Sequence, residues 1–381
     1  MKYSFKSLLF ICVIVLMACN NPQVSRFTEQ EVIEDLEYMI THIHAYFPFV
    51  GVLYRDRGID IDQLGIRAYN DIRRYFARRR YWDSDSLLYF FRVNFGVPLQ
   101  PLGHFSIQNY ALDDTYLVYS RESSVGVSTQ IIEEDRIAMM RIPSFLHNTR
   151  IAQTGLLDDI SHYNHLIIDI RGNRGGFPST FIRSLILPLL KEDMYLEMLG
   201  FVTTMEHAHH RPHVWYGSFY WSLDPTQTIH FTPIDEFLEQ ISLDPVTIHD
   251  IDLFGYGAKA VYHFTARRSR NPETNQMEIT PAFSGKVWLV IDDQNFSGAT
   301  YFARFMRDLN LATLVGRTQG GANGGDRMNF QLPNTGFWIH YDAINLSDRY
   351  GRSWEEYRIE PHIFHHDPIN HILYLIETGN Y

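Results

Sequence analysis

The chain has 381 residues, a formal net charge of -11 and a hydrophobic content of 45%, which is enough apolar material for a large buried core. This length predicts two domains, or one domain with insertions. The acidic balance argues against nucleic acid as a partner, because phosphate binding needs a basic surface. The short run Arg78-Arg79-Arg80 is typical of a solvated helix face instead.

The first eighteen residues have the pattern of a secretory signal. Lys2 and Lys6 precede an apolar run over 8–18, which is too short to span a bilayer as a mature helix. The run ends in Leu16-Met17-Ala18-Cys19, which resembles a bacterial lipobox, where the chain is cut before the cysteine and the thiol carries a lipid. Ordinary signal cleavage nearby is the alternative. We expect Cys19 to attach the protein to a bacterial membrane in the cell envelope, facing the periplasm or the cell surface.

Cysteine usage agrees with this interpretation. Cys12 and Cys19 are the only cysteines, one in the signal and one at the lipid site. We therefore expect no disulfide, no thiol nucleophile and no cysteine ligand to zinc. After the signal, no segment of the sequence is long and apolar enough to cross a membrane, so the lipid is the expected anchor.

Residues 19–99 are predicted to form a small helical domain. Thr28-Glu29-Gln30-Glu31 has the pattern of a capping box, and apolar residues recur behind it at helical spacing. Two more helices are predicted over Ile61–Phe76 and Trp82–Phe95.

Residues 100–381 are predicted to form an α/β domain. Short strands come first, at Phe105–Asn109, Thr115–Tyr119, Gly126–Ile132 and Ile137–Ile142. Two strand–turn–helix units follow, Leu166–Ile170 before a helix over Phe181–Leu190, and Val287–Ile291 before a helix over Gly298–Leu309 and a strand at Ala312–Val315. These units predict right-handed crossovers on a mainly parallel sheet.

Residues 201–284 interrupt this pattern and are predicted to be an insertion. The segment is rich in aromatic residues, and it holds a histidine cluster, His207, His209, His210 and His213. No carboxylate or cysteine stands at ligand spacing beside the cluster, so a solvated loop or a substrate-binding insert is favoured over a metal site. We expect neither a metal nor a cofactor.

Ser297 lies where a turn leaves an apolar strand and a helix begins. Ligands bind at this edge of open α/β sheets, and the unpaired N–H groups of a helix start can stabilise an oxyanion. Gly298 is one candidate donor, and Gly175 or Gly176 after the neighbouring strand is the other. On spacing alone, Ser297 can equally be a helix N-cap, and the glycines can be turn residues.

The segment over 166–176, ending in Arg171-Gly172-Asn173-Arg174-Gly175-Gly176, resembles the strand-and-glycine motif of the S41 serine peptidases, the family of the tail-specific and tricorn-core proteases. Further landmarks follow in the order of that family, at Ile137–Phe145, Val287–Ala303, Gly316–Gly320 and Ile359–Pro361. The resemblance implies a crotonase-like or ClpP-like catalytic domain, a peptide or protein substrate, and Ser297 as the nucleophile.

The family has two catalytic arrangements, which use different bases. One branch uses a lysine after the nucleophile, but no lysine follows Lys286 here. The other branch, which resembles the tricorn core, uses a histidine that matches His104 in Leu102-Gly103-His104-Phe105-Ser106. An imidazole can take a serine proton near neutral pH. The resemblance places the orienting acid at Glu355, with Glu356 and Glu360 as alternatives.

These features together predict an exported, lipid-anchored serine peptidase with Ser297, His104 and Glu355 at its site. The sequence also departs from the family at Thr300 and His362, where acids are usual. The alternative is therefore a catalytically inactive S41-like lipoprotein that binds a peptide or another ligand. An acyl-thioester enzyme of the crotonase-like kind is disfavoured by export. The interval over 110–136 is too short for a PDZ domain.

Overall fold

The computed structural model describes residues 25–100, 102–109, 126–146, 149, 151, 154–204, 230–241, 243, 248–321 and 325–381. The signal with Cys19, the strand predicted at Thr115–Tyr119 and the histidine cluster lie outside these residues. Within them, no helix is both apolar and long enough to span a bilayer.

The N-terminal part is helical, as the sequence predicts. Thr28 caps the first helix, because its hydroxyl accepts the N–H of Glu31 while the Glu31 carboxylate accepts the N–H of Thr28, so the capping box is confirmed. The strands β1 (Arg26–Phe27) and β2 (Trp82–Asp83) form an antiparallel pair in this part of the chain. The helices are α1 (Glu29–Tyr46), α2 (Val50–Arg57), which was not predicted, α3 (Ile61–Phe76), and α4 (Ser84–Phe91), which runs through a π-helical turn (Arg92–Gly96) into α5 (Val97–Leu99).

The first sheet is mainly parallel, which confirms the predicted fold class. Its strands are β4 (Ser128–Glu133), β5 (Ile137–Arg141), β6 (His165–Asp169), β12 (Lys286–Ile291), β13 (Thr313–Gly316) and β16 (Ile363–Phe364). They lie in the order β16-β13-β12-β6-β5-β4, and only the β4–β5 pair is antiparallel.

Both faces of this sheet are covered, which explains why its central strands are continuously apolar. Ile168 and Leu289 pack on one side with α10 (Gly298–Asp308). Ile167 and Val290 pack on the other with α11 (Pro368–Thr378). The remaining helical pieces are α6 (Leu156–Asp159), α7 (Pro178–Phe181), a π-helical turn (Ile182–Ile186), and α8 (Leu187–Leu189).

A second, antiparallel sheet was not predicted. Its strands are β3 (Ser106–Gln108), β7 (Met194–Val202), β8 (Thr232–Pro233), β9 (Tyr256–Phe264), β14 (Gly325–Gln331) and β15 (Trp338–Asp348). They lie in the order β14-β15-β7-β9-β8, and β3 also pairs with β15. The predicted insertion also contains α9 (Ile234–Ile241), a 3-10 turn (Ile251–Leu253) and a hairpin of β10 (Arg268–Arg270) and β11 (Met277–Ile279).

The N-terminal helices share a core with β15 and do not stand apart from the rest of the chain. Phe47 packs edge-on against Phe105 and Tyr341, in a buried cluster that also contains Ile339 and Ala343. The position of β15 is therefore set by this helical layer. The domain boundaries drawn from the sequence, at residues 99 and 100 and at the ends of 201–284, stay predictions.

Candidate active site

Ser297 occupies a strained position between β12 and α10. Its backbone has φ 54 and ψ -126, a conformation that costs a residue with a Cβ about 1–3 kcal/mol. Its N–H donates to the carbonyl of Gly321 at 3.2 Å. Its hydroxyl makes no capping hydrogen bond to the helix. The N-cap interpretation is therefore wrong for the side chain, which is turned toward a histidine instead.

His104 lies between Ser297 and a carboxylate. Its Nε2 is 2.9 Å from Oγ of Ser297, and its Nδ1 is 2.6 Å from Oδ2 of Asp342. The imidazole is 14% exposed and the Asp342 side chain 2%, so the contact is shielded from water. Because an ionised carboxylate only accepts hydrogen bonds, Nδ1 carries the proton of the neutral ring. Nε2 is then free to accept the proton of the Ser297 hydroxyl.

The prediction that Glu355 contacts the imidazole is wrong, and Asp342 occupies that position. Glu355 is buried, but its Oε1 accepts the backbone N–H of Gly103 at 3.3 Å. The two alternatives do not occupy that position either. Glu356 binds Arg55 and His249, and Glu360 is exposed.

The reason for the correction is the path of β15. This strand runs beside the turn that carries His104, and the N–H of Asp342 donates to the carbonyl of Gly103 at 2.6 Å. Glu355 comes from the turn after β15, and its Oε1 accepts the backbone N–H of Gly103. One signal in the sequence could have indicated Asp342. It is the aspartate within Tyr341-Asp342-Ala343-Ile344 of β15, because a carboxylate is rarely buried without a partner.

The predicted oxyanion glycines meet at the nucleophile. A Cβ on Gly298 would lie 2.5 Å from the carbonyl oxygen and 3.0 Å from the nitrogen of Gly176, so the two backbones are in contact. The N–H of Gly175 donates to Oδ1 of Asn173 at 2.7 Å and is therefore occupied. Within the described chain, no hydrogen bond is formed by the N–H of Gly176 or of Gly298. Of the two glycines predicted after β6, Gly176 is the one with an available donor.

Buried side chains connect the glycine turn to the turn that carries Ser297. Nδ2 of Asn295 donates to the carbonyl of Ile170, and Oδ1 of Asp292 accepts the N–H of Gly172 at 3.1 Å. Oδ1 of Asn295 also accepts the N–H of Asp292 at 2.9 Å within its own turn. Nδ2 of Asn173 donates to the carbonyl of Ile142 at 3.0 Å and connects the glycine turn to the segment after β5. Both asparagines are fully buried, so these bonds form in a dry environment.

A cleft of about 870 Å³ opens onto these groups, with His104, Ser297, Gly175, Gly176 and Phe296 among its lining residues. This volume suits a short stretch of peptide or a similar ligand. The described residues contain no group of side chains suited to hold a metal ion. A serine with an aligned base, a buried acid and available N–H donors is an arrangement suited to acyl transfer.

A comparison with models of protein families shows to which family the chain belongs. The model of peptidase family S41 matches residues 136–364, more than half of the chain. The chain belongs to peptidase family S41. Members of this family are serine peptidases. The matched part of this S41 chain contains Ser297, Asp342 and the three glycines, whereas His104 precedes it.

A solved structure shares the fold of this S41 chain, and two others are less similar to it. A candidate peptidase from Parabacteroides merdae ATCC 43184 superposes with a TM-score of 0.56 at 15% identity, over 92% of this chain and 97% of its own. A lipoprotein from Streptococcus agalactiae gives a TM-score of 0.46 at 13% identity, over 91% and 96%. The photosystem II D1 C-terminal processing protease gives 0.36 at 12% identity, over 69% and 47%. No curated protein matches the sequence significantly.

Proposed function

We propose that this S41 chain is an exported, lipid-anchored serine peptidase that cuts peptide bonds with Ser297, His104 and Asp342. The observation that carries the proposal is the continuous row of hydrogen bonds from Oγ of Ser297 through the His104 ring to Asp342. This is the geometry that acyl transfer by a serine requires.

The first half of the reaction forms an acyl-enzyme. Oγ of Ser297 attacks the peptide carbonyl carbon while Nε2 of His104 takes its proton. The negative charge that develops on the carbonyl oxygen is stabilised by the N–H groups of Gly298 and Gly176. The tetrahedral intermediate collapses, the C–N bond breaks, and His104 gives its proton to the leaving amine.

The second half releases the acid product. A water molecule replaces the amine, His104 removes its proton, and the ester to Ser297 is hydrolysed. Asp342 keeps its charge throughout and stabilises the imidazolium that forms twice in each cycle. The burial of Asp342 strengthens this interaction, because little water screens it.

Fluorophosphonate labelling of the full-length protein in detergent tests this site. We expect wild type to be labelled, Ser297→Ala to show no labelling, and His104→Ala to be labelled at least about 100-fold more slowly. Ser144→Ala is the matched control, because Ser144 lines the same cleft but contacts Thr149. Labelling that survives Ser297→Ala would contradict the assignment. A folded wild type that is never labelled would favour the alternative, a catalytically inactive lipoprotein that binds a peptide or another ligand.

The anchor is tested separately, because it depends only on the sequence at Cys19. Cells grown with an alkyne-tagged fatty acid should incorporate the tag into wild type. The variant Cys19→Ala should lose the tag and enter the aqueous phase on detergent phase separation. Tag incorporation that is unchanged in Cys19→Ala would contradict the proposed anchor.

A further inference from the structure

The cleft at Ser297 is cationic, although the chain as a whole is acidic. Among the described residues that line it, four are arginines, namely Arg57, Arg174, Arg327 and Arg358, and one is acidic, Asp293. The formal net charge of the full chain is -11. Positive charge is therefore concentrated at the site where the substrate binds.

Two of these arginines are paired with a carboxylate, and the one acidic lining residue is paired elsewhere. Asp293 is paired with Arg317 at 2.9 Å, outside the arginine group. Arg57 and Arg358 share one carboxylate, that of Asp56.

Arg174 and Arg327 differ from this pair. Both are exposed, and neither forms an ion pair within the described part of the chain. Guanidinium groups that line one cleft and form no ion pair favour an anionic ligand.

Both unpaired arginines lie beside the reacting groups. Arg174 directly precedes Gly175, and its guanidinium carbon is 5.8 Å from the centre of the Phe296 ring. That ring is in turn 5.2 Å from the ring of His104.

Arg327 lies on the strand next to the one that carries Asp342. It stands opposite Asp342 in the antiparallel β14–β15 pair, and directly opposite residues project to the same face of a sheet. Arg174 and Arg327 therefore both line the cleft that contains Ser297 and His104.

We propose that this cleft selects peptides that carry a carboxylate close to the scissile bond, and that Arg174 and Arg327 bind this carboxylate. The inference rests on the proposed function of the same site. A guanidinium presents two parallel N–H donors that match the two oxygens of a carboxylate. The carboxylate is that of an aspartate or glutamate side chain or that of a free peptide C-terminus.

Three fluorescent peptide pools with the same randomised positions test the preference. One pool holds a fixed Glu and an amidated C-terminus, the second a fixed Gln and an amidated C-terminus, and the third a fixed Gln and a free C-terminus. Turnover is measured with the wild-type full-length protein, and binding with Ser297→Ala by fluorescence anisotropy. We expect one carboxylate pool to be preferred over the amidated Gln pool by about 10-fold or more. The preferred pool identifies the source of the carboxylate.

Arginine variants test the residues. Arg174→Gln and Arg327→Gln should each reduce the preference at least about 3-fold, and the double variant should abolish it. Arg67→Gln is the control, because Arg67 lies on the exposed face of α3 and should keep the wild-type preference. Melting curves check that the variants fold.

The outcomes separate this inference from the proposed function. Equal turnover and equal binding of all three pools overturn the carboxylate preference, even where fluorophosphonate labels Ser297. A preference that is unchanged in the double arginine variant overturns the residue assignment. A carboxylate preference in binding to a protein that is never labelled supports this inference and contradicts only the peptidase activity.

Discussion

Nδ1 of His104 lies 2.6 Å from Oδ2 of Asp342, although 238 positions separate the two residues in the chain. The contact depends on β15, which is packed under the N-terminal helices and passes beside the turn that carries His104. The acid proposed for the site is therefore brought to His104 by packing between distant parts of the chain and not by a neighbouring stretch of sequence.

Asp342→Asn should lower kcat by about 1,000-fold or more, because an amide can donate to Nδ1 and so favour the wrong tautomer of His104. Glu355→Gln is the matched control. Glutamine keeps an oxygen that can accept the N–H of Gly103, so we expect a loss under about 10-fold. Initial rates on a cleaved peptide and fluorophosphonate labelling rates measure both variants. An equal loss of kcat in the two variants would contradict the choice of Asp342 over Glu355 as the acid.

Gly176→Ala should destabilise the fold and reduce labelling. Gly176 has φ 137, and a Cβ there would lie 2.3 Å from the carbonyl carbon of Phe145. The strained backbone and the clash together should cost about 2–4 kcal/mol of unfolding free energy. At Gly172, φ is 75 and the space around the Cβ position is open, so Gly172→Ala should cost about 1 kcal/mol. Urea titrations compare the two, and equal costs would argue against the close packing at Gly176.

Asp35→Ala should destabilise the protein by about 2–4 kcal/mol, because it leaves buried donors without an acceptor. The Asp35 carboxylate on α1 accepts the N–H groups of Asn334 and Thr335, both at 2.8 Å, in the turn between β14 and β15. Asp62→Ala is the control, since that side chain is 70% exposed and its loss should cost under about 1 kcal/mol. A similar shift of the urea midpoint in both variants would contradict the coupling of α1 to the hairpin.

Stability should fall on acidification below neutral pH, in part through His165. Burial lowers the pKa of this histidine, and the nearby charges of Arg136 and Lys286 lower it further. The side chain is 6% exposed, and its Nδ1 accepts the N–H of the Trp288 indole. The folded pKa lies below the unfolded value of about 6.5, so the unfolded chain binds the proton more tightly. The stabilisation is complete above the unfolded pKa and is lost progressively as the pH falls from there to the lower pKa of the folded state.

The measurement is the melting temperature of wild type and of His165→Gln between pH 7.5 and pH 5.5. The variant should lose less stability over this interval than wild type. The difference should be at most the change in stability that the uptake of one proton on unfolding produces. His366→Gln changes an exposed histidine and should keep the wild-type slope. Parallel pH profiles for wild type and His165→Gln would exclude a contribution from His165.

The sequence alone determined the elements in which one stretch of chain contains the whole signal. The capping box at Thr28, the buried strand at Leu166–Ile170 and the helix after Ser297 are all present in the structure. Side-chain periodicity and turn residues encode such elements locally. The contact between the glycines after β6 and the turn at Ser297 was predictable because the carboxyl ends of parallel strands share one edge.

Only the tertiary structure decided which acid contacts His104. Asp342 and Glu355 are both buried carboxylates near the end of the chain, and local pattern does not rank them. The choice depends on the register of β15 against β3 and β14 and on its packing under the N-terminal helices. Register is set by which faces of distant elements pack together, so it leaves little trace in the residues beside Asp342. For the same reason the antiparallel sheet, which joins strands from distant parts of the chain, was not predicted.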